Sequence, residues 1–409
     1  ASGSASGGSR FGLVSDVIHG AGSDLFATGY WKNGNLTFQN GDILQNPRSG
    51  SNSFVAKVSH VDGSVAWSTH ITNTLETKMN GVESSVYSGV EVVVTIGYKK
   101  VADATASSGQ RSDGAIYAWN GASGAALWEH IIPGLSSCNA VRMNAAGIYV
   151  ACSLLAGGTA TIGGAAAAVT AGAGDSKIAV FKIGSDGVPA WSATYGGSAS
   201  AFDLYLSPDG TKFAVCGGAS GAWTSGSVST TGAGGILAYA STTDGAVDWA
   251  IDTPYLRGTK ISPDGSTVYF MTGAVMSTTT LGSGANALEI RVRGSSDVIV
   301  GSVAAATGVG NWAVDFGGTG MEYPWGFDID GSGNLFMAGL TMSSTLTFGS
   351  MSQTKPAGAG MSAAYLIKLS ASTQNLPSCV SACSGTPTVN AGYCYIGSSC
   401  YAADTASPF

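Results

Sequence analysis

The apolar residues of this chain fall into short blocks separated by turn signals, with no helical stripe. From Phe54 to Trp67 the chain reads FVAKVSHVDGSVAW, and the same order of apolar block, turn and block ending in tryptophan returns four times. It reads AIYAWNGASGAALW over Ala115–Trp128, IAVFKIGSDGVPAW over Ile178–Trp191, ILAYASTTDGAVDW over Ile236–Trp249, and VIVGSVAAATGVGNW over Val298–Trp312. Alternating or continuous β-branched and aromatic residues broken by Asp-Gly or Ser-Gly predict strand, tight turn, strand, because glycine supplies the positive φ that a hairpin needs. A second hairpin lies upstream in each unit, as in LSPDGTKFAVCGG from Leu206, ISPDGSTVYFMTG from Ile261 and DIDGSGNLFMAG from Asp328. Two hairpins give four antiparallel strands per unit.

The tryptophans set the period: Trp67, Trp128, Trp191, Trp249 and Trp312 are separated by 61, 63, 58 and 63 residues. Four short strands cannot bury their own faces, but radial repetition buries each sheet against the next and protects its edges. The expected fold class is therefore all-β: a β-propeller of four-stranded antiparallel blades in six repeats of about 61 residues, with seven as the alternative count, plus an extended, disulfide-rich C-terminal tail. The propeller covers residues 1–374, with units 7–71, 72–132, 133–195, 196–253, 254–316 and 317–374, and the tail covers 375–409. The sixth unit has no tryptophan near position 373, so its fourth strand is missing. Gly7-Gly8-Ser9 matches the Gly-Gly steps at 196–198 and 317–319, which places Ala1–Ser6 in register with a fourth strand that closes the last blade; a disordered terminus is the alternative.

Composition narrows the partners. Charged residues are 11% of the chain, and 61 of its 409 residues are glycine, against roughly 25% charge and 7% glycine in an average domain. Eighteen Lys and Arg face 25 Asp and Glu, a net charge of -7 with no basic stripe. Binding to nucleic acid or to an anionic membrane is therefore disfavoured. No run of about 18 apolar residues predicts a transmembrane helix. The start Ala-Ser-Gly-Ser-Ala-Ser reads as the end left after removal of a signal peptide, which makes an extracellular, secreted or cell-surface location the expectation.

The phrase WAVDFGGTGMEYPWGFDIDGSGNLFMAGLTMSSTLTF (Trp312–Phe348), with LFATGYWKNGNLTF (Leu25–Phe38), resembles the repeats of secreted bacterial-type β-propellers described as seven-bladed propeller repeats. The hairpins ending in tryptophan are similar to quinoprotein-alcohol-dehydrogenase-like propeller repeats. In that family an AxDxxTGxxxW pattern docks each tryptophan between neighbouring blades, which implies a blade-docking role for Trp67, Trp128, Trp191, Trp249 and Trp312. Together the resemblances cover residues 7 to about 374 and speak to fold far more than to activity. A pyrroloquinoline quinone site would require adjacent cysteines, a calcium bound by Glu, Asn and Asp, and eight units; the chain has no adjacent cysteines and six units, so no cofactor is expected.

The tail carries Cys379, Cys383, Cys394 and Cys400 in the spacing C-x3-C-x10-C-x5-C. So short a segment lacks apolar surface to fold alone, and two disulfides, in one of three pairings, are the expected substitute for a core. The stretch GYCYIGSSCYAAD is similar to short Cys-rich modules of eukaryotic extracellular and matrix proteins. Zinc is the weaker reading, because structural sites present paired C-x(2-4)-C knuckles. Cys138, Cys152 and Cys216 lie in predicted strands, where a 138–152 bridge and small buried hydrophobes are both open.

No catalytic set is legible. His19, His60, His70 and His130 are scattered over different units, and Glu76, Glu83, Glu129, Glu289 and Glu322 share no offset within the repeat. DIDGSGN (328–334) begins like a calcium loop but has Gly339 where the bidentate Glu belongs, and Asp-Gly simply makes the turn. No metal or cofactor site, and no enzyme, is therefore expected; a secreted hydrolase or oxidoreductase is the third-ranked class. Asn35-Leu36-Thr37 is the one N-glycosylation sequon. Thr- and Ser-rich stretches recur at 225–231, 277–280 and 343–347, as O-glycosylation sites or as ordinary strand composition.

The leading expectation is an extracellular structural subunit that self-assembles into a fibre or surface layer, its C-terminal tail docking on a neighbouring copy. The alternative is a secreted carbohydrate- or protein-binding propeller. Such a protein should repeat an aromatic at one loop position per unit, and apart from the docking tryptophans no such aromatic is evident.

Overall fold

The structure, a computed structural model, describes residues 11–20, 22–32, 34–38, 43–45, 50–71, 75–163, 167–232, 234–273, 279–281, 288–290, 296–348, 351–355, 362–370, 393–396 and 399–402. Among them there is no α-helix. The fold is a β-propeller of six antiparallel blades, not seven. The chain divides into two units, residues 1–195 with blades 1–3 and residues 196–409 with blades 4–6.

In the first unit, blade 1 runs Phe11–His19, Leu25–Lys32, Ser51–Val58 and Val65–Ile71; blade 2 runs Thr77–Tyr87, Val90–Ala102, Gln110–Asn120 and Ala126–Ile132; blade 3 runs Leu135–Asn144, Gly147–Leu154, Lys177–Ile183 and Pro189–Tyr195. In the second unit, blade 4 runs Gly197–Leu206, Lys212–Gly221, Gly234–Ser241 and Val247–Thr253, and blade 5 runs Leu256–Ile261, Thr267–Thr272, Val298–Ala304 and Gly310–Gly317. Blade 6 has three described strands, Glu322–Ile329, Leu335–Thr341 and Ala363–Leu369. The expected closing strand, Ala1–Ser6, lies outside the described residues.

The second strands read as unbroken apolar runs because both of their faces are buried. On blade 2, Val92, Val94 and Ile96 point into a core shared with Leu135, Val141 and Ile148 of blade 3. The intervening Val93 points the other way, into a core shared with Phe26 and Val55 of blade 1. Blades 4 and 5 share a core around Leu237, Phe270 and Ile299, and blades 5 and 6 share one around Val300, Phe316 and Met337. Blades 2 and 5 are thus each one layer between two cores, which leaves the middle of their second strands without alternation.

The SPDG turns work through their side chains. In Ser207-Pro-Asp209-Gly-Thr211 the Ser207 hydroxyl donates to Asp209 (2.6 Å), whose carboxylate accepts the Thr211 amide (3.0 Å). Ser262 and Asp264 repeat the arrangement, with the Ser266 amide at 3.0 Å from Asp264. A carboxylate that accepts the amide two residues on forms an Asx turn, which fixes the hairpin without tertiary help.

The Thr- and Ser-rich stretches belong to a feature the repeat alone does not predict. Short extra hairpins, Leu36–Thr37 with Ile43–Leu44, Thr159–Thr161 with Ala168–Thr170, Trp223–Ser225 with Val228–Thr230, Thr279–Leu281 with Leu288–Ile290, and Thr345–Phe348 with Met351–Thr354, interrupt the second-to-third strand connections of five blades. Blade 2 instead lengthens its second and third strands to 13 and 11 residues. The blade 6 hairpin pairs onto the last strand of blade 5, extending that sheet to six strands. In the tail, backbone strands Tyr393–Ile396 and Ser399–Ala402 form a hairpin that pairs with Leu288–Ile290 of blade 5.

Candidate functional site

Within each unit the first strands of successive blades lie side by side. Every one of them carries a β-bulge, a residue skipped by the ladder to the second strand, and blade 3 carries a second one at Ser136. The skipped residues are Ser15 in blade 1, Asn80 in blade 2, Asn139 in blade 3, Phe202 in blade 4, Arg257 in blade 5 and Trp325 in blade 6. A bulge re-aims a side chain and leaves its residue outside the ladder, so these are the positions at which the first strands are free to differ. In the first unit they are small and polar: Asn80 donates to Asn139 Oδ1 and to the Cys138 carbonyl, each at 3.1 Å. An aspartate directly after the bulge ties neighbouring blades together twice. Asp16 accepts the Val82 amide at 3.0 Å, and Asp203 accepts the Thr259 amide at 3.1 Å with Lys260 Nζ at 3.4 Å.

In the second unit the same positions are aromatic or cationic. Phe202 meets Tyr255 edge-on with centroids 4.9 Å apart, and the Arg257 guanidinium lies over both rings at 4.8 and 5.3 Å. The phenol ring of Tyr255 has a seat made of glycine. A Cβ on Gly218 would come within 2.5 Å of the ring, and one on Gly273 within 2.8 Å, so backbone from two blades closes on it where any side chain would collide. Tyr255 keeps 38% of its surface exposed, Arg257 is exposed, and Trp325, at the equivalent bulge on the next blade, is 74% exposed. Among the described residues Arg257 has no carboxylate partner and no hydrogen-bond acceptor; its contacts are the two rings. A stacked guanidinium with free donors on one blade and an exposed indole at the equivalent bulge of the next are of the residue types enriched at recognition surfaces.

The sequence-nominated residues lie elsewhere. Trp67 donates to the Gly121 carbonyl at 3.1 Å, Trp128 to Ser185 at 2.9 Å and Trp249 to Ala305 at 2.7 Å, each reaching the last turn of the next blade. Glycines at positive φ, Gly124 (70°), Gly187 (84°) and Gly308 (71°), lie so close to those indoles that a Cβ would sit 2.8, 2.9 and 2.8 Å from a ring atom. Trp312 is buried in the core between blades 5 and 6, and Trp191 stands 6.2 Å from the Tyr149 ring. Asn35 is exposed at the start of the first extra hairpin. Cys138 and Cys152 form a disulfide, and Cys216 is a buried free thiol. Cys379 and Cys383 lie outside the described residues, and of Cys394 and Cys400 only the backbone is described.

The titratable groups do not converge. His130 Nε2 lies 2.8 Å from the Gly187 carbonyl, while His19, His60 and His70 are exposed on blade 1. Among the described residues no three His, Cys, Asp or Glu side chains form a set that fits a metal ion. Asp330, in DIDGSGN, is taken up by its own turn, accepting the Ser332 and Asn334 amides at 2.9 and 2.8 Å. Glu322 is fully buried and accepts from Thr341 Oγ1 (2.8 Å), Ser343 Oγ (2.5 Å) and the Gly318 amide (3.2 Å). Burial and this carboxylate together push the nearby Tyr365 phenol well above its usual range. A cavity of about 300 Å³ in the first unit is lined by His70, Lys99, Tyr117, Trp119, Trp128 and Glu129. One of about 370 Å³ in the second is lined by Gly317–Thr319 and by Ser344, Thr345 and Thr347.

No protein-family description matches the chain, and no curated protein matches it. Solved structures similar to it include hydrazine synthase from Kuenenia stuttgartiensis (12% identity over 81% of this chain and 76% of that one, TM-score 0.43). The Neurospora crassa Pan2 WD40 domain is 10% identical over 80% of this chain and 86% of that one (TM-score 0.41), and the Dos1 propeller 10% over 80% and 75% (TM-score 0.42). Likeness at this level carries no argument about activity. A propeller is consistent with a binding or scaffold role.

Proposed function

We propose that this protein is a binding propeller, an extracellular scaffold that recognises a carbohydrate or protein ligand through the first strands of blades 4–6. The observation that carries the reading is the exposed Arg257 guanidinium, held over Phe202 and Tyr255 and left without an acidic partner among the described residues, with Trp325 at the equivalent bulge of the next blade. Tyr, Trp and Arg dominate recognition surfaces because they offer large contact area at low rotamer cost. The Cys138–Cys152 disulfide is consistent with an oxidising compartment, which supports the extracellular location. The test is a combined glycan and peptide array probed with the native chain and with an Arg257→Gln/Trp325→Ala double variant. Ligands bound by the first and lost by the second are expected. An array on which both give the same pattern refutes the reading.

A second reading, the structural subunit assembling through its tail, draws support from the tail hairpin paired with the extra hairpin of blade 5. That pairing is within one chain and favours a staple; the same strand addition, exchanged between copies, would build a homopolymer. Electron microscopy of the native chain beside a form truncated after Ser372 separates the two. Filaments that vanish on truncation favour assembly, and monomers in both samples remove it.

A further inference from the structure

We propose that the bulge residues of blades 4–6 form a subsite for a carboxylate-bearing saccharide, an inference that rests on the binding reading above and names its ligand class. Four features carry it. The Arg257 guanidinium lies over the Phe202 and Tyr255 rings at 4.8 and 5.3 Å. Its N–H donors have no acceptor among the described residues. A planar fork in that state matches a carboxylate in two parallel hydrogen bonds, the strongest neutralisation open to a lone arginine. The other cation nearby is not free: Lys260 is 3% exposed and bound to Asp203.

Trp325 supplies the second half of the ligand's chemistry. The residue is 74% exposed, far more than Tyr255 at 38%. Its position follows from the repeat. One pair of neighbouring bulge residues touches in each unit, Asn80 with Asn139 at 3.1 Å and Arg257 with the Phe202 ring centroid at 4.8 Å. Blades 5 and 6 meet just beyond their bulges: a Cβ on Gly258, which follows Arg257, would lie 3.1 Å from Phe327 of blade 6, two residues beyond Trp325. An open indole face one blade away from a guanidinium fits a flat ring with apolar C–H faces and an acidic edge, the shape of a uronic acid pyranose.

Two other anionic ligands fit less well. A polyanion such as nucleic acid needs many cations in line, and the site has one free cation on a chain of net charge -7. An acidic peptide added as a β-strand needs a regular free edge, and bulges at Phe202, Arg257 and Trp325 interrupt all three first strands. Pro324, directly before Trp325, removes a backbone donor from the third.

The experiment is titration calorimetry with tri-galacturonate, its fully methyl-esterified form and an acidic heptapeptide, on the full chain and on Arg257→Gln, Arg257→Lys and Trp325→Ala, with thermal melts confirming that each variant is folded. Tri-galacturonate is expected to bind, and the ester to bind roughly tenfold more weakly or worse, because a charge-assisted pair is lost. Arg257→Gln is expected to lose a similar factor, Arg257→Lys to recover only part of it, and Trp325→Ala to weaken acid and ester alike. Equal binding of acid and ester, or full binding by Arg257→Gln, overturns the carboxylate assignment. Binding of the peptide alone, lost in Arg257→Gln, overturns the saccharide and leaves the binding reading standing. Silence toward all three probes overturns the saccharide; if the array is also silent, the binding reading falls with it.

Discussion

Substituting alanine at two turn glycines separates the energy of blade docking from that of turn geometry. Gly63 and Gly308 occupy the same turn of their blades with the same backbone, φ 72° and 71°. Among the described residues a Cβ on Gly63 would meet nothing within 4 Å, whereas on Gly308 it would lie 2.8 Å from Trp249 Cδ2 and 2.9 Å from Cε3. Gly63→Ala therefore incurs only the left-handed penalty of a β-carbon, about 1–2 kcal/mol. Gly308→Ala incurs that and must also push aside an indole that is 7% exposed, stacked on Tyr239 at 5.3 Å and bonded to the Ala305 carbonyl. Overpacking of this kind costs about 1–3 kcal/mol, so the expected total is about 2–5 kcal/mol. Urea unfolding followed by tryptophan fluorescence measures both variants against the parent. The two losses should differ by at least about 1 kcal/mol, and Gly308→Ala alone should red-shift native emission as Trp249 leaves its seat. Equal losses with unchanged emission would refute the claim that the turn glycine is needed for the tryptophan to dock.

Acid is expected to destabilise the hairpins before it reaches the cores. Hydrogen bonds from Ser64 and Thr105 hold Asp62 and Asp103 down at about 2, and those from Ser207 and Ser262 lower Asp209 and Asp264. A depressed carboxylate contributes stability above its unfolded pKa and loses it as pH falls through the folded one, so the melting temperature should decline between about pH 4 and pH 2. The Asp209→Asn/Asp264→Asn variant should decline less, and a flat parent profile would contradict the assignment. Replacing both Cys138 and Cys152 by alanine opens a loop closed across 14 residues and should cost about 2–4 kcal/mol in chemical denaturation. Cys216 is fully buried, and burial followed by the Asp203 carboxylate pushes its thiol well up. In the chain truncated after Ser372 a thiol reagent should therefore label it only on unfolding, and rapid native labelling would show the strand to be open.

The blades were legible because their constraints recur at a fixed spacing. A tryptophan needs a turn glycine on the next blade, as Trp67 needs Gly124 and Trp128 needs Gly187, so both residues repeat with the blade. The bulge site was not legible, for two physical reasons. A bulge adds one residue and reverses the alternation behind it, so Phe202, Arg257 and Trp325 read as ordinary strand residues. At the bulge, which lies within a strand and not in a loop, an aromatic stands in only two of the six blades, Phe202 and Trp325, since the others place Ser15, Asn80, Asn139 and Arg257 there. The Tyr255 seat depends on Gly218 and Gly273, whose closeness to the ring follows from sheet pairing and from no local motif. The extra hairpins escaped notice because strands of two to four residues carry too few positions to show a period.

The cysteines of blades 3 and 4 show how the two kinds of position differ. Cys152 and Cys216 lie in equivalent second strands, and the ladder sets Cys138 opposite the first and Asp203 opposite the second. Both second-strand cysteines are fully buried, Cys152 in the core shared with blade 2 and Cys216 in the core shared with blade 5. What faces them belongs to the bulged first strand and follows no such rule, so one becomes a disulfide and the other stays a thiol beside an interblade carboxylate. The second-strand positions are buried in both blades, while the first-strand residues beside the bulge differ, Cys138 before it in blade 3 and Asp203 after it in blade 4. First-strand residues at and beside the bulge differ from blade to blade, and that variation is what lets a repeat scaffold carry a local site. The proposed binding role is therefore to be tested at Phe202, Arg257 and Trp325, not at the repeating tryptophans.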